Sequence, residues 1–268
     1  MKLAMAHSIS HFSTTASLFL LALNLSLTIH QVMSTPNQGT LKTRQHRSSF
    51  ESSGPPPIGA QKALLEDPVV ARIIEEFAYE QVGHIRAIIR TVGGFPRPLL
   101  DLSREHYARG FDRIVGFPLN PPFNPYANSL NFLIATYYNH YLALNGYAGT
   151  IPSLISPTNR RLVAGLLGVE AGQDAVTRTL LLISARRNLL GGCGNKDEGI
   201  ILPNKTLGAE HRTTSNVLSA DENSLAYAKT PAEILRNLYV NDNEKVPGGV
   251  FPRGANGVIA KHYLTGRD

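Results

Sequence analysis

The sequence predicts an all-α helical bundle followed by an irregular C-terminal extension with one short helix. Three observations lead there. Apolar residues recur at helical spacing through most of residues 58–190. Capping residues and Gly or Pro punctuate those stretches at both ends. From Gly191 onward the periodicity fades and Gly and Asn take over. The chain has 268 residues, 43% hydrophobic and 17% charged, enough for one sizeable core with appendages.

Residues 1–34 read as a secretory signal. Lys2 precedes the apolar run Ala16–Leu27, and Val32-Met33-Ser34 offers small residues for cleavage. The run is shorter than the ~20 residues a spanning helix needs, so no membrane association is expected once it is removed. Asn204-Lys205-Thr206 is then a glycosylation acceptor, with Asn204 the modified residue. Residues 35–57 are rich in Ser, Thr, Gln, Pro and basic residues and read as a disordered linker.

The bundle is assigned to residues 58–190. Its first long helix starts with Asp67 as cap and Pro68 in the first turn, and runs to about Thr91 before Gly93-Gly94. Val70, Ile74, Phe77, Gln81, His84 and Ile88 follow at spacings of four, three, four, three and four. Gln81 and His84 thus lie on the buried stripe, with Glu80 on its shoulder, and side chains of this kind facing a core need partners. A shorter helix spans Leu102–Val115, capped by Ser103 or Asp101. Pro118–Pro125, with four prolines, is a rigid connector. The second long helix is expected over Tyr126–Asn145, closed by Gly146, with His140 on its flank beside the tyrosines. The third runs from about Thr158 to Leu190, and its stripe Val163, Leu166 or Leu167, Glu170, Asp174, Thr177, Leu181 is again interrupted by polar residues, with Gln173 adjacent. Residues 191–268 form the loop-rich extension. Its one clear helix starts at Thr230-Pro231-Ala-Glu233, a capping box.

Composition narrows the function. The net charge of +6 is dispersed, Arg72, Arg86 and Arg90 lie opposite the apolar stripe, and no nucleic-acid motif is present, so no nucleic-acid partner is expected. The lone Cys193 excludes an intrachain disulfide and a cysteine-rich zinc site. No Ser or Thr sits at a strand–turn–helix elbow, and the residues lean away from an enzyme.

The two polar islands, Glu80-Gln81-Val-Gly-His84 and Glu170-Ala-Gly-Gln173-Asp174, admit two readings. In the first, Gln81, His84, Glu170, Gln173 and Asp174 form a buried hydrogen-bonded network, with Arg178 helping to neutralise Glu170, and no cofactor is needed. In the second, Glu80, His84 and Glu170 are ligands of an incomplete metal site for iron or manganese. A carboxylate-bridged pair of metals takes a Glu from each of two helices and a Glu-x-x-His pair from each of the other two. Here the pair ending at His84 begins with Gln81, and the pair beginning at Glu170 ends at Gln173.

Several strings resemble the plant desiccation-related proteins with a ferritin-like domain. They include Pro55-Pro-Pro-Ile-Gly-Ala-Gln-Lys62, Phe77-Ala-Tyr-Glu-Gln-Val-Gly-His-Ile-Arg-Ala87, Gly94-Phe-Pro-Arg-Pro-Leu-Leu-Asp-Leu-Ser103 and Val163-Ala-Gly-Leu-Leu-Gly-Val-Glu-Ala-Gly-Gln-Asp-Ala175. The tail from Val246 to Tyr263 fits too, so the likeness covers roughly residues 54–268. It implies a ferritin-like bundle, a secretory signal and expression under water deficit. It also implies a Glu at the place of Gln81 and a further Glu-bearing helix ahead of the Pro-Pro-Pro-Ile-Gly string, which residues 35–53 are too short and too polar to supply. A bundle one helix short exposes an apolar groove, open to a partner, to the chain's own tail or to a second copy in a homo-oligomer. The expected role is protective, structural or binding, with a metal-dependent oxidoreductase as the alternative.

Overall fold

A computed structural model describes residues 54–93, 96–188, 217, 218, 220, 221 and 223–265. The expected signal, most of the linker, Cys193 and Asn204 lie outside these residues. Six α-helices and one 3-10 turn make up the described elements: α1 (Pro68–Val92), α2 (Arg104–Val115), α3 (Ser129–Thr150), the 3-10 turn Ile151–Ser153, α4 (Pro157–Asn188), α5 (Pro231–Tyr239) and α6 (Val258–Thr265). Strand pairing among them is limited to isolated bridges. The architecture is all-α. The helix α3 packs along α4, α1 lies against α4, and α5 covers α3 with α6 behind it.

Local chemistry sets the helix ends. The Asp67 side chain accepts hydrogen bonds from the Val69 and Val70 amides, and Pro68 fills the first turn of α1. Ser103 rather than Asp101 caps α2, accepting from the His106 amide at 3.2 Å, and Asp101 braces Ser103 in turn. The capping box of α5 forms as the sequence predicts: Glu233 accepts from the Thr230 amide at 2.7 Å while Thr230 accepts from the Glu233 amide.

The helix α3 departs from expectation at both ends. It begins three residues later than Tyr126, capped by Asn128, and passes through Gly146 to Thr150. Gly146 does not close it because the helix is packed on most sides, and neighbours compensate glycine's weak helix preference. Buried residues occur in every turn, including Phe132, Leu133, Tyr137, His140, Leu144 and Tyr147. Burial therefore reaches most sides of the helix rather than one stripe. The signal was there: none of its 22 residues is charged. No helix among the described residues is long and apolar enough to cross a membrane.

Extended segments tie the helices together. The Ile58 amide donates to the Leu100 carbonyl and the Leu102 amide donates back to Ile58, each at 2.8 Å. On the other side the Asp101 amide donates to Val250 at 2.9 Å, so residues 100–102 join the start of the bundle to its C-terminal wrap. Gly59 is required there, because its φ is +65° and a Cβ would stand 2.6 Å from the Ser103 Cβ. Residues 54–57, expected as the end of the linker, are held by Arg97, whose guanidinium donates to the Pro55 carbonyl at 2.9 Å. Glu66 and Ser129 couple the starts of α1 and α3. The Ser129 amide donates to Glu66 Oε2 at 2.9 Å, and the Asp67 amide donates to Ser129 Oγ at 3.1 Å. The C-terminal wrap holds a second helix, α6, in a stretch expected to be part of the loop-rich extension. Its entry is crowded by the Arg253–Gly257 turn chemistry, which masked the short apolar run behind it.

The helix α4 exposes an apolar row. Val169, Val176 and Ile183 are exposed at seven-residue spacing along α4, and an added Cβ at Gly165 or Gly172 in the same stretch would meet nothing.

The chain crosses α3 closely at one point. The Lys229 amide donates to the Asn145 carbonyl at 3.0 Å, and a Cβ at Gly149 would run into the Lys229 carbonyl. Gly149→Ala is expected to push the 227–230 crossing off α3 and to lower unfolding stability by about 1–3 kcal/mol, the usual cost of overpacking. Urea denaturation of the two forms measures it, and an unchanged midpoint contradicts the close crossing.

Candidate functional site

The polar islands of α1 and α4 face each other in the core. Helical spacing puts Gln81 and His84 on the side of α1 that meets α4, and it puts Glu170, Gln173, Asp174 and Thr177 on the matching side of α4. Gln81 and Glu170 are both 0% exposed. The Gln81 amide nitrogen donates to Glu170 Oε1 at 2.8 Å and to Gln173 Oε1 at 3.0 Å. Gln173 passes the chain on, donating from Nε2 to Glu80 Oε2 at 2.5 Å. His84 Nδ1 lies 3.5 Å from Glu170 Oε1. Of the five residues expected in the network, Gln81, Glu170 and Gln173 are joined by hydrogen bonds, His84 stands beside Glu170, and Asp174 lies buried on the same side of α4 with its Oδ1 unpartnered among the described residues. Glu80, half-buried on the shoulder, joins through Gln173 rather than through His84.

Two further residues, both on α3, belong here. His140, expected on the flank of its helix, is instead 1% exposed, with its ring edge-on to Phe77 at 5.5 Å. Burial holds its imidazole below the usual range, against the opposing pull of Glu170 and Glu80. It is therefore a neutral ring facing the same carboxylates. Tyr147 is fully buried within the field of Glu170, and burial drives its phenol well above the usual range. Both lie on α3, whose near-complete burial removes the stripe that would have marked which face they share.

Arg178 ends the polar row one turn past Asp174. It is fully buried, donates from Nε to the Val217 carbonyl at 2.9 Å and from Nη1 to the Tyr137 hydroxyl, and its guanidinium carbon lies 5.2 Å from the Tyr137 ring centre. Its charge pulls the Asp174 carboxyl down, but burial dominates and Glu170 adds to it, so Asp174 is pushed up to about 7. The sequence pairs Arg178 with Glu170; in the structure its field is felt at Asp174.

Some of the buried polar atoms here would suit a pair of metal ions. Gln81 Oε1, His140 Nδ1, Asp174 Oδ1 and Tyr147 Oη have no hydrogen-bond partner among the described residues, as atoms awaiting a ligand would. The central position decides against it. At Gln81 an amide N–H points at the Glu170 oxygen that a metal would use, and an amide nitrogen is a donor of hydrogen bonds, not of a lone pair. No group of three or more His, Cys, Asp or Glu among the described residues is placed to hold a metal ion. As they stand, these residues do not fit a carboxylate-bridged metal pair.

A helical bundle with facing polar islands on two long helices is the architecture of ferritin-like proteins, and comparison places the chain there. A family model described as a ferritin-like domain matches residues 30–182. The chain belongs to this family, in the branch that holds the plant desiccation-related proteins. It is 51% identical over 232 residues to the ferritin-like catalase Nec2 of Nesocodon mauritianus, spanning 79% of this chain and 74% of that protein. It is 45% identical over 224 residues to the desiccation-related protein PCC13-62 of Craterostigma plantagineum, spanning 76% of this chain and 71% of that one. No solved structure matches it.

Asp174 gives the site a pH signature. Its carboxyl titrates near 3.8 when unfolded and at about 7 when folded, so the folded state holds the extra proton between those values. Stability therefore falls as pH rises from about 4 to about 7 and the cost is fully present above that. Asp174→Asn carries no such burden. Its stability relative to the natural chain is expected to be greater at pH 8 than at pH 5, by on the order of 2 kcal/mol. Urea unfolding at the two pH values checks this, and an equal difference at both contradicts it.

Proposed function

We propose that the chain is a stress-related ferritin-like protein whose role is protective or structural and does not depend on a metal centre. The observation that carries this reading is the Gln81 amide donating to both Glu170 and Gln173 at the centre of the α1–α4 interface. A network closed by an amide holds the helices together without a cation, and it turns an N–H rather than a lone pair toward Glu170 Oε1. The desiccation-related relative supports the link to water deficit. The apolar run Ala16–Leu27 and the acceptor at Asn204 support passage through the secretory pathway, with glycan attached at Asn204.

A second reading is metal-dependent disproportionation of peroxide. It is favoured by the relative named as a catalase and by His140, which adds a second imidazole to the carboxylates around Glu170. In that reading iron or manganese would be held from Glu80, His84, Glu170 and His140.

Two measurements separate them. The purified chain, incubated with Mn(II) or Fe(II) and desalted, is expected to hold well under one metal per chain and to release no oxygen from hydrogen peroxide above the protein-free blank. It is also expected to preserve a test enzyme through drying and rehydration better than an equal mass of albumin. Near-stoichiometric metal with oxygen release that is lost in His84→Ala establishes the second reading instead. Expression in a plant secretory system tests the route: the band is expected to shift on deglycosylation, and Asn204→Gln to abolish the shift.

A further inference from the structure

We infer that two copies of the chain pair through the outward face of α4, antiparallel and about a two-fold axis. That face lies on the far side of α4 from Glu170, so the pairing does not depend on how the polar core is used.

The helix is turned inside out for a surface element. Between Leu162 and Ser184 its charged residues are Glu170, Asp174 and Arg178, and all three are buried. No exposed or half-buried residue in that stretch carries a charge, while Val169, Val176 and Ile183 stand exposed. A surface helix ordinarily turns charge outward and apolar groups inward. A contiguous apolar strip with the reverse arrangement marks an interface. Thr179, within the strip, donates its hydroxyl to the Ala175 carbonyl at 2.8 Å and so brings no unmet polar group.

The order of side-chain sizes points to a second copy as the occupant. Leu162, Gly165, Val169, Gly172, Val176, Thr179 and Ile183 follow at spacings of three, four, three, four, three and four, the seam of a coiled coil. Larger residues fill one line of that seam, and Gly or Thr the other. Two such helices run parallel set large against large and glycine against glycine, which leaves gaps. Run antiparallel, each larger side chain of one copy meets a small residue of the other, in both directions across the axis. An added Cβ at Gly165 or Gly172 would meet nothing, so both positions have room for a side chain of the second copy. Charge agrees with this choice. The face has no charged group to select a charged partner or a lipid headgroup, and two copies meet on it without like-charge repulsion. Area sets the strength. A seam from Leu162 to Ile183 is about 30 Å long and buries on the order of 500 Å² per copy, about 1,000 Å² in all. That is the lower bound for a specific dimer, so dissociation in the micromolar range is expected.

An antiparallel pair brings Val169 of one copy within one turn of Val176 of the other, whereas a parallel pair brings each against its own counterpart. The test uses that difference. The full chain, Val169→Glu, Val176→Lys and the double variant Val169→Glu/Val176→Lys are compared by sedimentation velocity from about 1 to about 100 µM. The natural chain is expected to pass from monomer to dimer across this range. Each single variant is expected to stay monomeric, its dissociation constant raised at least roughly 100-fold by an unpaired charge in the seam. The double variant is expected to regain dimerisation to within about tenfold of the natural chain, because each Glu then faces a Lys of the second copy. Helical circular dichroism is expected to be the same in all four, since both positions are exposed in the single chain. A natural chain that is monomeric at every concentration overturns the inference. A dimer that survives either single variant overturns it too, because the contact then lies elsewhere. Monomeric single variants with no recovery in the double variant overturn the antiparallel two-fold pairing.

Discussion

Glu170 is a carboxylate with no exposure to solvent, and the arrangement of the bundle follows from how it is accommodated. A buried polar group without partners costs several kcal/mol in order of magnitude, and a charge costs more. Gln81 meets that demand from the facing helix at 2.8 Å, and the same nitrogen reaches Gln173 at 3.0 Å. The amide therefore fixes both the register and the spacing of α1 against α4. Leucine at this point would pack but would take this donor away from Glu170. Polar contacts of this kind specify one alignment of two helices, where an all-apolar seam tolerates sliding.

The rest of the fold keeps that interface in place. The exchange among Glu66, Asp67 and Ser129 ties the start of α1 to the start of α3, so α1 cannot shift along its axis independently. Residues 100–102 are paired by Ile58 on one side and Val250 on the other, which closes the N-terminal and C-terminal segments around the bundle. At the far end of the polar row, Arg178 binds the Val217 carbonyl and the Tyr137 hydroxyl, joining the C-terminal wrap to α3 and α4 at a buried cation. The ferritin-like scaffold is present, and the residue at the centre of its α1–α4 interface is an amide, Gln81.

Much of the architecture was legible in the sequence because it depends on local rules. The caps Asp67, Ser103 and Thr230, the helix-compatible Pro68 and Pro231, and the four-three alternation through Gln81 and His84 each follow from near neighbours. The same alternation put Glu170 and Gln173 on the inner face of α4. The errors lie where burial is not one-sided. The helix α3 has no polar face to set its phase, so its true ends, the passage through Gly146 and the inward position of His140 were not readable from period alone.

By itself the sequence determined the helical class and the identity of the residues on two polar seams, because capping and periodicity are properties of contiguous residues, and its longer strings carried the likeness to the family. Only the tertiary structure decided how those seams meet. Which atom of Gln81 faces Glu170, whether His84 stands at 3.5 Å from it, and that His140 and Tyr147 share its surroundings depend on packing between helices far apart in the chain. Hydrogen bonds across 89 residues of sequence are fixed by the fold, and no local pattern encodes them.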